Sequence, residues 1–464
     1  MHRPQCSHMA WPEPDTGGER FRPGFAAQGT MRLSKPHLQP GDIATFEKEN
    51  TMLRKTQSPI VSYRMKPYTR VVAGLHSRST FGIFATCLMF LLFAHLPANA
   101  DHVHQLYYNN AGWVDTDITK MIGGGIASSE SAITALYTPG PQLHVYYIDT
   151  KLHVRQLYFN GKSWIDEDLT AATGGPQAGI WGITSFAIGN LQHVFYVGYG
   201  DSHVHELYYN NAGWSDQDIT AAAGGASANL VAPEMVGFAT KPNNQFHIYY
   251  EDSNLHMHQL YFNGISWIDE DLTAQTGASC YPGTQFPPAG AGYITGFAVG
   301  NLQHLFCAGV VSGHIHLLHI HYNNAIWTSE DITAKVGGGA LSFTSAVAAF
   351  SVGHLEVYGV TFDNHVHQFT SINNKWSDLD LTASHGAPSD FWYGGAVAFP
   401  TKPNNQFHIY YQPGTEVYQL YFNGTNWTSQ DLTGGAGQAD YYGSGMAGFA
   451  IGNLQHVFYL GYGS

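Results

Sequence analysis

Histidine, glutamine and tryptophan recur along this chain at fixed phases, and these side chains carry the types and spacing that bear on chemistry. Of the 26 histidines, 21 lie after Asp101. One set sits in the second of four recurring β runs, at His144, His193, His247, His304, His408 and His456. Another forms H-x-H pairs in the third run, at His102 and His104, His203 and His205, His256 and His258, His314 and His316, and His365 and His367. Two copies degenerate to His153-Val154-Arg155 and Glu416-Val417-Tyr418. After these triplets come Gln105, Gln156, Glu206, Gln259, Gln368 and Gln419, with Leu317 the exception. Tryptophans come next, at Trp113, Trp164, Trp214, Trp267, Trp327, Trp376 and Trp427. An amide or carboxylate, an imidazole on the neighbouring strand and an indole one strand on would present acceptor, donor and stacking plane together, the parts of a neutral-sugar pocket. Alternation puts both histidines of an H-x-H on one face of a strand, a spacing that can chelate Zn²⁺. The copies degenerate without other ligand types appearing, and no Cys or carboxylate recurs beside the pair. Packed, hydrogen-bonded neutral imidazoles are therefore expected, with no metal and no cofactor.

The elements that must position these residues are written by a second repeat. Each Trp begins W-x₃-D-[IL]-T, with aspartates Asp117, Asp168, Asp218, Asp271, Asp331, Asp380 and Asp431. The spacings between copies are 51, 50, 53, 60, 49 and 51 residues. A period of that size, rich in short β-type runs, is the signature of propeller blades. The third copy shows the unit: ITSFAIGN from Ile183, LQHVFYVGYG from Leu191, HVHELYYN from His203 and GWSDQDIT from Gly213. These are four antiparallel strands, with Asn and Gly turns as at Asn210 to Gly213 and Asn263-Gly264. Asp101 opens directly on the third and fourth strands of a blade, HVHQLYYNNAGW, and Met446 to Gly463 supplies the first and second. The prediction is an all-β, seven-bladed β-propeller of four-stranded antiparallel blades, closed by N- and C-terminal strands that share one blade. The aspartates are expected to bond to backbone in the turn toward the next blade. The tryptophans divide between inter-blade core and ligand contact.

Repetition itself argues for binding over catalysis, because a catalytic constellation is normally assembled once from residues in different roles. The blades fall into two subtypes, one with an IGNLQH turn at Asn190, Asn301 and Asn453, the other with KPNNQFH at Pro242 and Pro403 and a looser TPGPQLH at Pro139. Symmetry is broken by a Pro-rich loop from Ser279 to Gly292, and by non-repeated acids such as Glu130, Glu234, Asp390 and Asp440 that form no recognisable motif.

Residues 81–97, FGIFATCLMFLLFAHLP, follow Lys66, Arg70 and Arg78 and precede Ala98-Asn99-Ala100. This pattern predicts a signal peptide over 65–100 with cleavage after Ala100, and hence an exported propeller over 101–464 with no stable membrane insertion. Residues 1–64 read as a non-domain extension or an upstream start preceding Met65. Of the 20 Lys and Arg, 12 lie before Asp101, leaving 8 against 28 Asp and Glu beyond it, a balance near −20. Such a surface disfavours nucleic acid and anionic lipid as partners. Cys280 and Cys307 are free to pair in an oxidising compartment, although their spacing does not demand it.

The units H-V-Y-Y, H-V-H-E/Q-L-Y-Y/F-N-G and W-x-x-x-D-L-T resemble the seven-bladed propeller lectins typified by the Photorhabdus lectins, over essentially all of 101–464. That resemblance implies a secreted lectin with several inter-blade pockets, in a family that binds L-fucose and O-methylated sugars. A looser resemblance is to the six-bladed fungal fucose lectins, whose pockets join an Arg, a Glu or Gln, and a Trp. It implies His193 at the Arg position, Glu206 at the acidic one and a motif Trp as platform. Here His replaces that Arg in six blades and Glu356 in the seventh, which removes a fixed bidentate donor. Leu317 then marks one incomplete pocket. The leading expectation is multivalent binding of glycans or glycoconjugates. Its rivals are an interaction scaffold using the Ser279 to Gly292 loop, and a hydrolase or lyase using the central channel.

Overall fold

Each part of the W-x₃-D-[IL]-T repeat has one structural task, and the tasks together build a blade. The Asp closes the fourth strand and caps the turn beyond it: in all seven copies its Oδ1 accepts the backbone N–H three residues on. In six copies the expected turn is a five-residue helix ended by a glycine in the left-handed region, for example Leu272–Thr276 followed by Gly277 at φ 73°. The aliphatic residue goes to the core, as with Ile118, Leu169, Ile219, Leu272, Ile332 and Leu381, all fully buried. The Thr hydroxyl accepts a backbone N–H of the third strand at 2.8 or 2.9 Å in every copy, from Val103 to Val417. Thr220→Val keeps the shape and leaves the buried Val204 N–H without its acceptor. It is expected to cost about 1–3 kcal/mol in urea denaturation; a cost near zero would mean that the hydroxyl is dispensable.

The computed structural model describes residues 101–464 except 130, 141, 231–233, 281–293, 343–345, 387, 390–394, 414–415, 435–440 and 463–464. Among the described residues are seven four-stranded antiparallel sheets. Blades 1 to 6 span 133–168, 178–218, 235–271, 294–331, 348–380 and 397–431, and blade 7 joins 441–462 to 101–117. In blade 7, Asp101–Tyr108 pairs with Leu454–Tyr462, placing Tyr107 opposite His456, so the first and last strands of the propeller lie in one sheet as expected. The first strands contact one another in the order of the blades, and that of blade 7 meets that of blade 1. The ring is therefore closed.

The sheets stack through the tryptophans. Each indole meets edge-on the second-strand aromatic of the preceding blade, with ring centroids 5.9–6.3 Å apart: Trp214 on Tyr146, Trp267 on Phe195, Trp327 on Tyr249, Trp376 on Phe306, Trp427 on Tyr358, Trp113 on Tyr410 and Trp164 on Phe458. The hairpins behave as their Asn and Gly residues predict. Asn263 Oδ1 accepts from the N–H groups of Ile265 and Ser266 while Gly264 takes φ 94°. A disulfide joins Cys280 to Cys307. The Pro-rich loop beyond Cys280 lies largely outside the described residues, as do Glu130, Asp390 and Asp440.

Candidate functional site

The second-strand His and the third-strand Gln meet in the middle of the sheet in blades 1, 3, 6 and 7. Gln Nε2 donates to His Nδ1 at 2.7 Å between Gln156 and His144 and at 2.9 Å between Gln419 and His408 and between Gln105 and His456; Gln259 and His247 make the same bond. A neutral imidazole that accepts at Nδ1 carries its proton on Nε2. In blades 1, 3 and 6 that proton is taken by Thr138, Thr240 and Thr401 at 3.0, 3.3 and 3.3 Å. Burial holds His144, His247, His408 and His456 down to about 4, so they remain neutral near pH 7.

Blades 1, 3 and 6 extend this bond into the next sheet. The amides of Gln156, Gln259 and Gln419 each reach Gln192, Gln303 or Gln455 of the following blade at 2.9 Å, and the hydroxyls of Tyr146, Tyr249 and Tyr410 bond to the same carbonyl oxygens. The IGNLQH blades carry Phe195, Phe306 and Phe458 at the Tyr position. Thus the two turn subtypes of the sequence correspond to the two sides of a polar inter-blade bond.

Blade 2 replaces the amide by a carboxylate: His193 Nδ1–H donates to Glu206 at 2.6 Å, and His193 Nε2 is buried without a hydrogen-bond partner. In blade 5, Glu356 stands at the His position and accepts from Gln368 at 2.8 Å and Thr370 at 3.0 Å. Blade 4 corrects the reading of Leu317. Asp331 receives His316, as Asp271 receives His256, so His316 takes the first position of the pair and Leu318 stands where the second histidine would be. His319, opposite Glu330, takes the Gln position and bonds to His304 at 3.0 Å. The sequence HIHLLHIH holds two separate H-x-H triplets, His314 to His316 and His319 to His321, and strand pairing sets the pair positions at His316 and Leu318, which match neither.

Two cavities open at blade joints. One, of about 610 Å³, lies between blades 3 and 4 with His247, Gln259, Tyr261, Glu270, Gln303 and Trp327 in its lining. The other, of about 440 Å³, lies between blades 2 and 3 with His193, Glu206, Tyr208, Gln217, Phe246 and Trp267. The imidazole, the amide or carboxylate, and an indole do converge, but the indole belongs to the following blade instead of the next strand. Side chains leave a sheet across its face, so a fourth-strand Trp reaches the neighbouring sheet. Trp267, Trp327, Trp376 and Trp427 are buried, whereas Trp113, Trp164 and Trp214 keep part of their surface open.

A third polar position escaped sequence reasoning. Opposite the Gln or Glu, on the fourth strand, stand Glu167, Gln217, Glu270, Glu330 and Gln430, with Thr116 and Leu379 in the other two blades. Glu270 and Glu330 accept the indole N–H of Trp327 at 3.3 Å and of Trp376 at 2.8 Å. Burial would raise Glu330, but hydrogen bonds from His319, Lys335 and Trp376 hold its carboxyl far below the usual range. The signal was present as the E or Q before the motif Asp in five of the seven copies. Around the axis, a separate cavity is lined by first-strand residues with Trp181 and Glu234.

No family model and no curated protein matches the chain. Solved structures similar to it include the SapL1 lectin in complex with alpha methyl fucoside, 16% identical over 66% of this chain and 96% of that one, with a TM-score of 0.41. The six-bladed β-propeller lectin of Aleuria aurantia is 13% identical over 71% of this chain and 86% of that one, with a TM-score of 0.42. The Hadza microbial sialidase Hz136 is 11% identical over 69% and 73% of the two chains, with a TM-score of 0.40. The seven-bladed architecture of this chain stands on its own strand order and register.

Proposed function

We propose that this protein is an exported, multivalent carbohydrate-binding protein that takes neutral glycans, fucosylated or O-methylated ones among them, in the cavities between blades. The observation that carries this reading is the joint of blades 2 and 3. There an indole, three further aromatic rings and the Glu206 carboxylate line one cavity, and His193 Nε2 has no hydrogen-bond partner among the described residues. An aromatic face packs against the C–H face of a pyranose, and a carboxylate and an imidazole suit adjacent hydroxyls. The joint of blades 3 and 4 repeats the scheme with Trp327, Glu270 and Gln259. The resemblance of the repeat units to secreted propeller lectins favours the same ligand class. Weak sites on one ring gain strength together by avidity.

A glycan array tests this reading, followed by the variant His193→Phe, which fills the cavity floor with an apolar ring. Selective signal on neutral glycans is expected, with the variant weaker but still bound because other joints remain. A blank array from folded protein would contradict the reading, and total loss on His193→Phe would contradict independent joints. Hydrolysis of aryl glycosides would instead assign the function to the axial cavity beside Glu234.

A further inference from the structure

The H-x-H pairs lie away from the His and Gln pairs, at the end of each blade where the third strand meets the capping Asp. The first histidine donates from Nδ1 to that Asp at 2.6–2.8 Å in the four blades with an intact pair, in blade 4 through His316 and in blade 1 through His153. In blades 1, 2, 3 and 5 the second position lies among three carboxylates. In blade 1 it is Arg155, whose guanidinium bonds to Asp166 and to Asp168 at 3.2 Å and lies 3.7 Å from Asp149. This blade therefore holds a permanent cation within a triangle of acids.

Blades 2, 3 and 5 keep the triangle and replace the Arg by His, and in blade 3 His258 lies 3.1 Å from Asp269 and 3.6 Å from Asp252. His205 has Asp216 at 3.1 Å on Nδ1 and Asp201 at 3.1 Å on Nε2, with Asp218 beside it. His367 has Asp378 at 2.8 Å on Nδ1, while its buried Nε2 has no hydrogen-bond partner among the described residues and lies 4.0 Å from Asp380. The residue as a whole is 8% exposed. In blades 2 and 5 one atom from each of Asp201, His205 and Asp218, or of Asp363, His367 and Asp380, lies within 4.8 Å of the other two. In blade 5 a carboxylate on Nδ1 fixes the tautomer that leaves Nε2 open to ligate, the arrangement by which proteins orient histidine toward a metal; in blade 2 the His205 Nε2 faces Asp201, and an ion would sit between the two in place of their hydrogen bond. One imidazole and two carboxylates fit a borderline divalent ion, with a fourth position left to water.

We propose that blades 2 and 5 each carry a Zn²⁺-type cation site, ligated by Asp201, His205 and Asp218 and by Asp363, His367 and Asp380. The sequence reading set metal aside because no carboxylate adjoins the H-x-H pair. The carboxylates come instead from two residues before the pair and from the fourth strand, 13 residues beyond the ligating histidine. Asp216 and Asp378 act as positioning residues, and Arg155 is the metal-independent version of the same device. The sites are independent of the glycan reading, because they share no residue with the two blade-joint cavities.

The test is calorimetric titration of the chelator-treated full chain with ZnCl₂, beside the double variant His205→Arg/His367→Arg. The variant copies blade 1, so it retains the central cation and is expected to fold. Zinc uptake is expected to fall by two ions per chain, with circular dichroism unchanged. Equal uptake by the two proteins, or none by the parent, would overturn the proposal. Asp378→Asn gives a second readout that needs no charge replacement: about 10–100-fold weaker zinc binding at one site is expected. An unchanged affinity there would refute the role of Asp378 in orienting His367.

Discussion

Acidification from pH 7 to pH 4 is expected to remove a large part of the stability of this protein. Burial holds His144, His247, His408 and His456 down to about 4, and burial together with His319 and His321 holds His304 to about 3. A histidine of the unfolded chain titrates near 6.5. Groups with a depressed imidazole pKa are neutral in the fold and charged in the coil. Their contribution is therefore complete above about pH 6.5 and is lost as pH falls toward the folded value. Each of the four near 4 loses on the order of 3 kcal/mol over that window. Two effects oppose the loss. Burial raises Asp101 and Glu251 to about 7, so the fold gains as they protonate. Burial would lower His205, His258 and His367, but Asp216, Asp269 and Asp378 raise them, and their contribution persists below 6.5. Burial also lowers His319 and His321, so seven depressed imidazoles stand against five opposing groups, and a domain is stable by only about 5–15 kcal/mol in total. Urea midpoints at pH 7, 5.5 and 4.5 are expected to fall in sequence. A flat or rising series would mean that these imidazoles are solvated.

Trp327→Ala is expected to cost about 3–5 kcal/mol, the range for deleting a large buried aromatic side chain. Trp327 is 7% exposed, stands edge-on to Tyr249 of the preceding blade and donates to Glu270. Its removal opens the joint and leaves that carboxylate without the donor. Trp427→Ala, at the joint of blades 5 and 6, should cost a similar amount, and the two should add because they share no neighbours. Equilibrium denaturation checks both. A loss below 1 kcal/mol at either position would show that the joint does not depend on its indole.

The blade count and the shared terminal blade were legible because both derive from the order of strands along the chain. The tasks of Asp271 and Thr273 were half legible, since a capping residue announces its local bond but not its second partner, here His256 and the Met257 N–H. Contact between sheets lay beyond the sequence. Nothing local tells that Trp327 faces Tyr249, or that Gln259 reaches Gln303, 44 residues away. The frame of HIHLLHIH failed for the related reason that register is decided by the partner strand. The Glu270 position was overlooked because the three residues between Trp and Asp were treated as spacers. Yet in five copies the last of them is Glu or Gln.

The central claim is that sugar binds at several joints of one ring, and the number of sites per chain tests it most directly. Calorimetric titration of the protein with the best monosaccharide from the array is expected to give more than one equivalent site per chain. The count should fall by one on Trp267→Phe, which keeps a ring at the joint but shortens the platform. Saturation at a single site unaffected by that change, or no heat of binding at all, would contradict the account.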